Sequence, residues 1–132
     1  MSDTTAVREL LDTYAKALNT SDAALAASLY APDGVFMPYQ APTAAGPQQL
    51  LEAYRQIFEQ IQLDVEFTIE DLTVDGGTAH AVTGSAGRVT VHADGSRAPE
   101  RNRELFVFVR TDEGWRIARY MFNKTAPASA GS

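Results

Sequence analysis

Apolar residues recur at helical spacing in three segments of the chain. The first segment predicts an amphipathic helix, because its apolar positions follow the i, i+3, i+4, i+7 pattern: Val7, Leu10, Leu11, Tyr14, Ala15 and Leu18. The polar run 19–22 ends this helix and supplies the N-cap of a second, alanine-rich helix that ends near Tyr30. A third helix begins at Gly46-Pro47, since proline suits the first helical position. Its apolar face is formed by Leu50, Leu51, Tyr54, Ile57, Phe58 and Ile61.

The pattern changes to strict alternation from Leu63 onward. Leu63, Val65, Phe67 and Ile69 alternate with polar residues, which is typical of a half-buried strand. Turn sequences at 75–77, 93–96 and 111–114 predict three more strands, at about 78–92, 102–110 and 115–124. A short strand is predicted at 35–38, after a proline- and glycine-containing turn at 31–34.

These elements predict one α+β domain in the order α-α-β-α-β-β-β-β. The last four strands form an antiparallel meander, and the three helices collect on one face of a curved sheet. Residues 1–125 are predicted to form this single domain. The small and polar residues 126–132 are predicted to be a disordered tail.

Composition and short motifs argue against several partners and kinds of chemistry. The net charge is −6, and the eleven basic residues are scattered among seventeen acidic ones, so neither nucleic acid nor an anionic membrane is an expected partner. The chain has no cysteine, which excludes disulfides and thiolate chemistry. No apolar run is long enough to span a membrane and the N-terminus lacks a secretory pattern, so the expected location is cytoplasmic. Glycine-rich phosphate loops and zinc-binding helix motifs are missing as well, so neither a cofactor nor a metal is expected.

Alternation divides the last strand into two faces. One face, expected to lie under the helices, carries Trp115, Ile117, Arg119, Met121 and Asn123. On the neighbouring strands the same face is expected to carry Asn102, Glu104, Phe106 and Phe108, and also His80, Val82, Gly84, Ala86 and Arg88. The opposite, outer face is then apolar, and homodimerisation is the simplest way to cover it; the alternative is a monomer whose loops cover that face. The residues expected in this interface are Leu105, Val107, Val109, Ala118, Tyr120 and Phe122.

An arginine beneath helices needs a paired environment, because burying an unpaired charge is costly. The alternation therefore predicts an ion pair between Glu104 and Arg119, with Asn102 and Asn123 completing the network. Small residues at Gly84 and Ala86 leave room for a pocket that binds a small, largely apolar molecule. The predicted ligand-binding residues are Arg119, Asn123, Asn102, Met37, Tyr54, Phe58, Arg88, Phe106, Trp115 and Met121.

Three stretches carry a family resemblance: "YAKALNTSDAALAASLYAPDGVFM", "GPQQLLEAYRQIF" and "NRELFVFVRTDEGWRIARYMFNKT". From about residue 5 to 125 the chain resembles the NTF2-like superfamily, which includes ketosteroid isomerase and SnoaL-type polyketide cyclases. Within it, the chain looks most like the small bacterial proteins grouped as SgcJ/EcaC or DUF4440. The resemblance implies a cone-shaped half-barrel, usually dimeric through the outer face of its sheet.

The resemblance to ketosteroid isomerase also implies roles for individual residues. "YAKALN" places Tyr14 where the isomerase has an oxyanion-hole tyrosine, and "RELFVF" places Glu104 where it has a protonated carboxylic acid. The position of its general base reads Met37-Pro38 here and holds no carboxylate. The isomerase resemblance therefore carries over the hydrogen-bond donors but not the base.

The predicted catalytic residues are Tyr14, Glu104 and His80, and each has a structural alternative. Tyr14 either donates to a ligand oxygen or is a core tyrosine, and Glu104 either transfers protons or only pairs with Arg119. His80 either shuttles protons or is a hydrogen-bonded core histidine, while Arg119 either binds a ligand oxygen or serves Glu104 alone. The leading hypothesis is cofactor-free isomerisation, cyclisation or dehydration of a polyketide-like or terpenoid-like substrate. The alternatives are a non-catalytic ligand-binding or accessory protein, and a structural dimer with a filled cavity.

Overall fold

A computed structural model of the protein describes residues 2–125, in which three helices cover one face of a six-stranded sheet. The predicted tail, 126–132, lies outside the described residues. The elements follow one another as α1 (Asp3–Asn19), α2 (Ala23–Ser28), β1 (Tyr30–Met37), β2 (Ala44–Ala45), α3 (Pro47–Gln60), β3 (Ile61–Asp75), β4 (Thr78–Val91), β5 (Arg97–Thr111) and β6 (Gly114–Lys124).

The helices begin where the sequence provides capping groups. The Ser2 hydroxyl accepts a hydrogen bond from the Thr5 amide at 3.1 Å, and the Asp22 carboxylate accepts one from the Leu25 amide at 3.0 Å. Pro47 occupies the first turn of α3, as predicted. The buried face of α1 is the predicted apolar face with Ala17 in place of Ala15: Val7, Leu10, Leu11, Tyr14, Ala17 and Leu18.

The sheet order is β2-β1-β6-β5-β4-β3. The predicted meander is confirmed, because β3, β4, β5 and β6 pair with one another in antiparallel fashion. Two features go beyond the prediction: β1 runs parallel to β6, and the short strand β2 pairs with β1 at the edge of the sheet.

The predicted turn at 31–34 is wrong, since these residues lie within β1. The pairing of β1 with β6 shifts between Tyr30 and Val35, and this irregularity accommodates Pro32, which has no amide hydrogen for the ladder. Gly34 is required there, because a Cβ atom at that position would lie 2.8 Å from the Cβ of Tyr30. The chain therefore passes directly from α2 into the sheet.

A β-bulge in β6 reverses the faces that alternation predicts for the end of the chain. Phe108 pairs with Ile117 but Val107 pairs with Arg119, so Ala118 is an extra residue in β6. Trp115 and Ile117 lie under the helices as predicted.

Beyond the bulge the prediction is wrong for every residue. Tyr120 faces inward and is buried, and Phe122 follows it on the same face. Arg119 and Met121 are exposed on the outer face with Asn123, which accepts a hydrogen bond from Arg103 at 2.7 Å.

The predicted inner face of β4 is wrong by one residue. Paired residues on antiparallel strands point to the same side of the sheet, and Glu104 pairs with Thr83 rather than with a residue of the His80 series. The inner face of β4 therefore carries the buried residues Ala79, Ala81, Thr83 and Ser85. The series expected there, His80, Val82, Gly84, Ala86 and Arg88, lies on the outer face.

Candidate functional site

A cavity of about 630 Å³ lies between α3, the segment 38–44 and the inner face of the sheet. Its side nearest α1 and β1 is aromatic, and the side formed by β4, β5 and the end of β6 is polar. The aromatic lining residues are Tyr14, Phe36, Tyr39, Tyr54, Phe67, Tyr120 and Phe122. The polar lining residues on the sheet are Ser85, Glu100, Asn102, Glu104 and Lys124. A largely apolar molecule with one polar group fits such a lining.

Glu104 is the buried carboxylate of this cavity, with 4% of its surface exposed. Thr83 Oγ1 donates to its Oε1 and Ser85 Oγ donates to its Oε2, both at 2.6 Å. Burial raises the pKa of the Glu104 carboxyl, and the two hydroxyl hydrogen bonds lower it by less. The structure thus places Glu104 in the cavity but gives it neutral partners.

The predicted Glu104–Arg119 ion pair is wrong. The bulge at Ala118 turns Arg119 to the outer face, where its guanidinium donates to the backbone oxygens of Asp33 and Ala118. Of the predicted network, Glu104 and Asn102 line the cavity, whereas Arg119 and Asn123 lie outside it.

A chain of hydrogen bonds runs from Glu104 to the cavity rim. Asn102 Nδ2 lies 3.3 Å from Ser85 Oγ and 3.1 Å from Glu100 Oε2, so it donates to both. Lys124 Nζ then contacts both Glu100 oxygens, at 2.9 and 3.1 Å. The single lysine of the cavity wall is therefore already neutralised by a carboxylate.

Three tyrosine hydroxyls form a second hydrogen-bonded chain. The Tyr54 hydroxyl lies 2.7 Å from that of Tyr14 and 2.6 Å from that of Tyr30, and all three side chains are buried. Two hydrogen bonds use two of the three hydroxyl hydrogens, so one hydrogen remains for a further acceptor. Burial raises the pKa of each of these phenols, and they therefore act as hydrogen-bond donors rather than as bases.

Stacked rings make the aromatic side of the cavity rigid. The Phe36 ring stacks on Tyr54 at 5.0 Å and on Tyr120 at 5.3 Å between centroids. Phe106 stacks on the far side of Tyr120 at 4.1 Å. Such contacts add to the burial of each ring and fix where the hydroxyls point.

The predicted site residues fall into three groups. Four of them line the cavity: Tyr14, Tyr54, Asn102 and Glu104. Three are buried in the core outside the cavity lining: Phe58, Phe106 and Trp115. Six lie outside the cavity altogether: Met37, His80, Arg88, Arg119, Met121 and Asn123.

His80 and Trp115, like Arg119 and Asn123, have polar partners away from the cavity. The side chain of His80 is 47% exposed, and its Nε2 lies 3.4 Å from Asp71 Oδ2 on the outer face. Trp115 donates its indole hydrogen to Asp3 at 3.0 Å, beside the guanidinium of Arg110. These two contacts lower the pKa of Asp3 and join the first turn of α1 to the last strands.

The sequence prediction missed the polar residues of β4 and the aromatic end of β6. The cavity-facing positions of Thr83 and Ser85 could have been predicted by pairing β4 with β5 so that Thr83 lies opposite Glu104. The residues then on the inner face, at alternate positions from 79 to 85, are all small. Tyr120 and Phe122 could not be found from alternation, since it continues undisturbed through the bulge. Tyr30 was missed because the turn predicted after it removed it from the sheet.

Comparison with known proteins identifies the family. Residues 7–123 match the SnoaL-like domain family. The chain belongs to the SnoaL-like family. No curated protein matches this SnoaL-like chain.

Solved structures share the fold of this SnoaL-like chain and confirm the predicted NTF2-like α+β architecture. A ketosteroid isomerase-like protein from Erwinia carotovora atroseptica SCRI1043 is 27% identical, with a TM-score of 0.89 over 96% of this chain and 98% of that one. An NTF2-like superfamily protein from Salmonella enterica serovar Typhimurium LT2 is 18% identical, with a TM-score of 0.83 over 98% and 96%. A domain of unknown function with a cystatin-like fold from Nostoc punctiforme is 16% identical, with a TM-score of 0.78 over 97% and 80%.

The structural neighbours leave the grouping with SgcJ/EcaC or DUF4440 as a prediction. Within residues 2–125, none of the helices has the length and apolar character needed to cross a membrane.

Proposed function

We propose that this SnoaL-like protein binds a small, largely apolar organic molecule in its cavity and moves a proton of that molecule with Glu104. The observation that carries the proposal is a carboxyl group buried in the wall of an aromatic cavity, with no lysine, arginine or histidine paired to it among the described residues. A buried carboxylate is a stronger base than an exposed one, because its raised pKa favours the protonated product. Isomerisation, cyclisation and dehydration all use such a step.

The tyrosine chain would supply the complementary group. When a carboxylate removes a proton beside a carbonyl, negative charge develops on the carbonyl oxygen, and a fixed donor stabilises it. Tyr14 lines the cavity and belongs to the chain with one uncommitted hydroxyl hydrogen. Tyr54 and Tyr30 hold Tyr14 in place, and the ligand oxygen would accept from Tyr14. His80 has no part in this mechanism, because it lies on the outer face.

Proton abstraction can be tested without the natural substrate. 2-Tetralone is a neutral bicyclic ketone with acidic hydrogens next to its carbonyl, and in D2O a base in the cavity exchanges them for deuterium. We expect the protein to accelerate this exchange, and Glu104→Gln to reduce the acceleration by about 10²-fold, since general-base catalysis contributes on that scale. NMR of the ketone measures the rate after subtraction of the uncatalysed exchange.

The matched control is His80→Gln, which removes the histidine from the outer face and should leave the exchange rate unchanged. Circular dichroism establishes that both variants are folded. Equal exchange rates for wild type and Glu104→Gln would refute the role of Glu104 in proton transfer.

A non-catalytic binding protein is the second candidate, and one observation favours it. Pro38 lines the cavity at the position where the isomerase resemblance expects the general base, and it carries no ionisable group. Tight binding of tetralone without accelerated exchange would support this candidate.

We also propose that a second copy of the chain covers the outer face of the sheet. Val82, Leu105, Met121 and Met37 pair with one another in successive strands, so they form a continuous apolar row across that face. Val82 is 39% exposed, Leu105 47% and Met121 46%. Exposed apolar patches of this kind support association, although Tyr120 and Phe122, predicted for the interface, belong to the cavity.

A further inference from the structure

Around Glu104 and Asn102, the hydrogen-bond donors of the polar side of the cavity are already in use. The Thr83 and Ser85 hydroxyls donate to Glu104, and the Asn102 amide donates to Ser85 and Glu100. Lys124 donates to Glu100. The orientation of the Asn102 amide is determined, because the opposite assignment would bring its oxygen against the Glu100 carboxylate.

Hydrogen-bond acceptors, by contrast, remain free at this side. A carboxylate offers about four lone-pair positions, and the hydroxyls of Thr83 and Ser85 occupy two of those on Glu104. Among the buried side-chain nitrogen and oxygen atoms of residues 2–125, the one without a partner is Asn102 Oδ1, which is also an acceptor. A ligand group that hydrogen-bonds to Glu104 or to Asn102 Oδ1 must therefore bring its own hydrogen.

The charges of the cavity lining act in the same direction. Its carboxylates are Glu52, Glu100 and Glu104, and its only cation among the described residues is Lys124. Because Lys124 already pairs with Glu100, an anionic ligand would meet uncompensated negative charge at Glu104. A protonated amine would bring a donor, but its charge would have to leave water for an aromatic cavity, at a cost that an ion pair often fails to repay.

We propose that the ligand presents a neutral hydroxyl group, of an alcohol or a phenol, to the Glu104 carboxylate. This assignment rests on the proposed binding function of the cavity and adds the chemical class of the ligand to it. The hydroxyl hydrogen occupies a free lone pair of Glu104, and the apolar body of the ligand packs against Phe36, Tyr120 and Phe122. Carboxylic acids and phosphates are excluded as the group at this position.

Four probes with one skeleton test the assignment: 2-naphthol, 2-methoxynaphthalene, 2-naphthoate and 2-naphthylmethylamine. Isothermal titration of the intact protein at pH 7 gives each Kd. We expect 2-naphthol to bind about tenfold or more tightly than the ether, because a hydrogen bond to a charged acceptor is stronger than one between neutral groups. The carboxylate should bind most weakly.

The variant Glu104→Gln should reduce the ratio of the Kd of 2-methoxynaphthalene to the Kd of 2-naphthol, since it replaces the charged acceptor by a neutral amide. Glu66→Gln makes the same change at an exposed strand position and should leave the ratio as in wild type. The comparison of naphthol with its ether in wild type needs no variant, so it stands even if Glu104→Gln does not fold.

The outcomes separate the two proposals. Equal binding of naphthol and the ether refutes the hydroxyl assignment but leaves a binding cavity. Tighter binding of the amine than of naphthol also refutes it, in favour of a cationic ligand. If neither neutral probe binds, the hydroxyl assignment is wrong, and the proposed binding of apolar bicyclic molecules falls with it.

Discussion

The charge of one residue, Glu104, costs the folded protein stability. Two neutral hydroxyls, rather than a cation, donate hydrogen bonds to its buried carboxylate, and burial raises the pKa of this carboxyl group. In the unfolded chain the same carboxyl titrates near its ordinary value, about 4.3. Between these two pKa values the folded state holds more protons than the unfolded state, so the free energy of unfolding falls as the pH rises through that window.

Glu104→Gln should remove this pH dependence. The amide is nearly isosteric and stays neutral, so we expect the variant to be at least as stable as wild type above the window. Below this pH window Glu104 of wild type is protonated in both the folded and the unfolded state, so the free energies of unfolding of variant and wild type should differ less there. Urea denaturation from pH 4 to 8 measures the difference, and Glu66→Gln, which should follow wild type, is the control. A variant that loses stability relative to wild type as the pH rises would contradict this account.

At the scale of elements, the bulge in β6 decides which side chains reach the cavity. One additional residue, Ala118, lets Ile117 and Tyr120 face the same side of the sheet. If Ala118 instead took a regular place in the ladder, the residues after it would exchange faces, and Arg119 would enter the aromatic core. Arg119 would then be moved from water into a buried site, at a cost that an ion pair with Glu104 often fails to repay.

Deletion of Ala118 should therefore leave a cooperatively folded protein. It removes the residue that has no partner in β5, so Arg119 stays paired with Val107 on the outer face and Tyr120 stays in the core. An alanine inserted between Arg119 and Tyr120 should instead destabilise the protein by about 3 kcal/mol or more, because it turns Tyr120 out of the core. Thermal unfolding followed by circular dichroism compares the two variants with wild type. Loss of the cooperative transition on deletion of Ala118 would contradict this account.

The sequence was sufficient for features that depend on local periodicity. The three helices and the four-stranded meander follow directly from spacing, and the inner face of β5 was correct because Phe106 and Phe108 mark it clearly. The inner face of β4 was wrong because both of its faces carry small or apolar residues, so composition did not choose between Ala81 and Val82. The bulge in β6 was invisible, since an inserted alanine changes neither the composition nor the alternation of the strand.

At the scale of the whole molecule, the outer face of the sheet is the surface that exposes apolar side chains. A row of apolar side chains on this face is wholly or partly exposed to water: Val82, Leu105, Met121 and Met37. The hydrophobic core lies on the opposite face of the sheet. Burial of apolar surface contributes about 25 cal/mol per Å², so pairing two such faces is favourable. A two-fold axis would set each row against its own copy.

Leu105→Lys should convert the proposed dimer to a monomer. A lysine in the centre of the row would place like charges across the two-fold axis and desolvate them. Light scattering coupled to gel filtration measures the mass, and Gln48→Lys, an exposed change on α3, is the control. If wild type already elutes with the mass of one chain, the outer face is not a self-association surface under those conditions.

The division of the cavity between sheet and helix has a consequence for how this scaffold could diversify. Glu104, Ser85 and Thr83 lie on the paired central strands β4 and β5, where their side chains are buried and hydrogen-bonded to one another. The facing wall includes Gln49, Gln56 and Gln60 of α3, which are exposed, and substitutions at exposed positions usually change stability little. If the proposed function holds, the proton-transfer group and the residues that select the ligand lie on different parts of the polypeptide, so a descendant could acquire a new ligand while keeping Glu104.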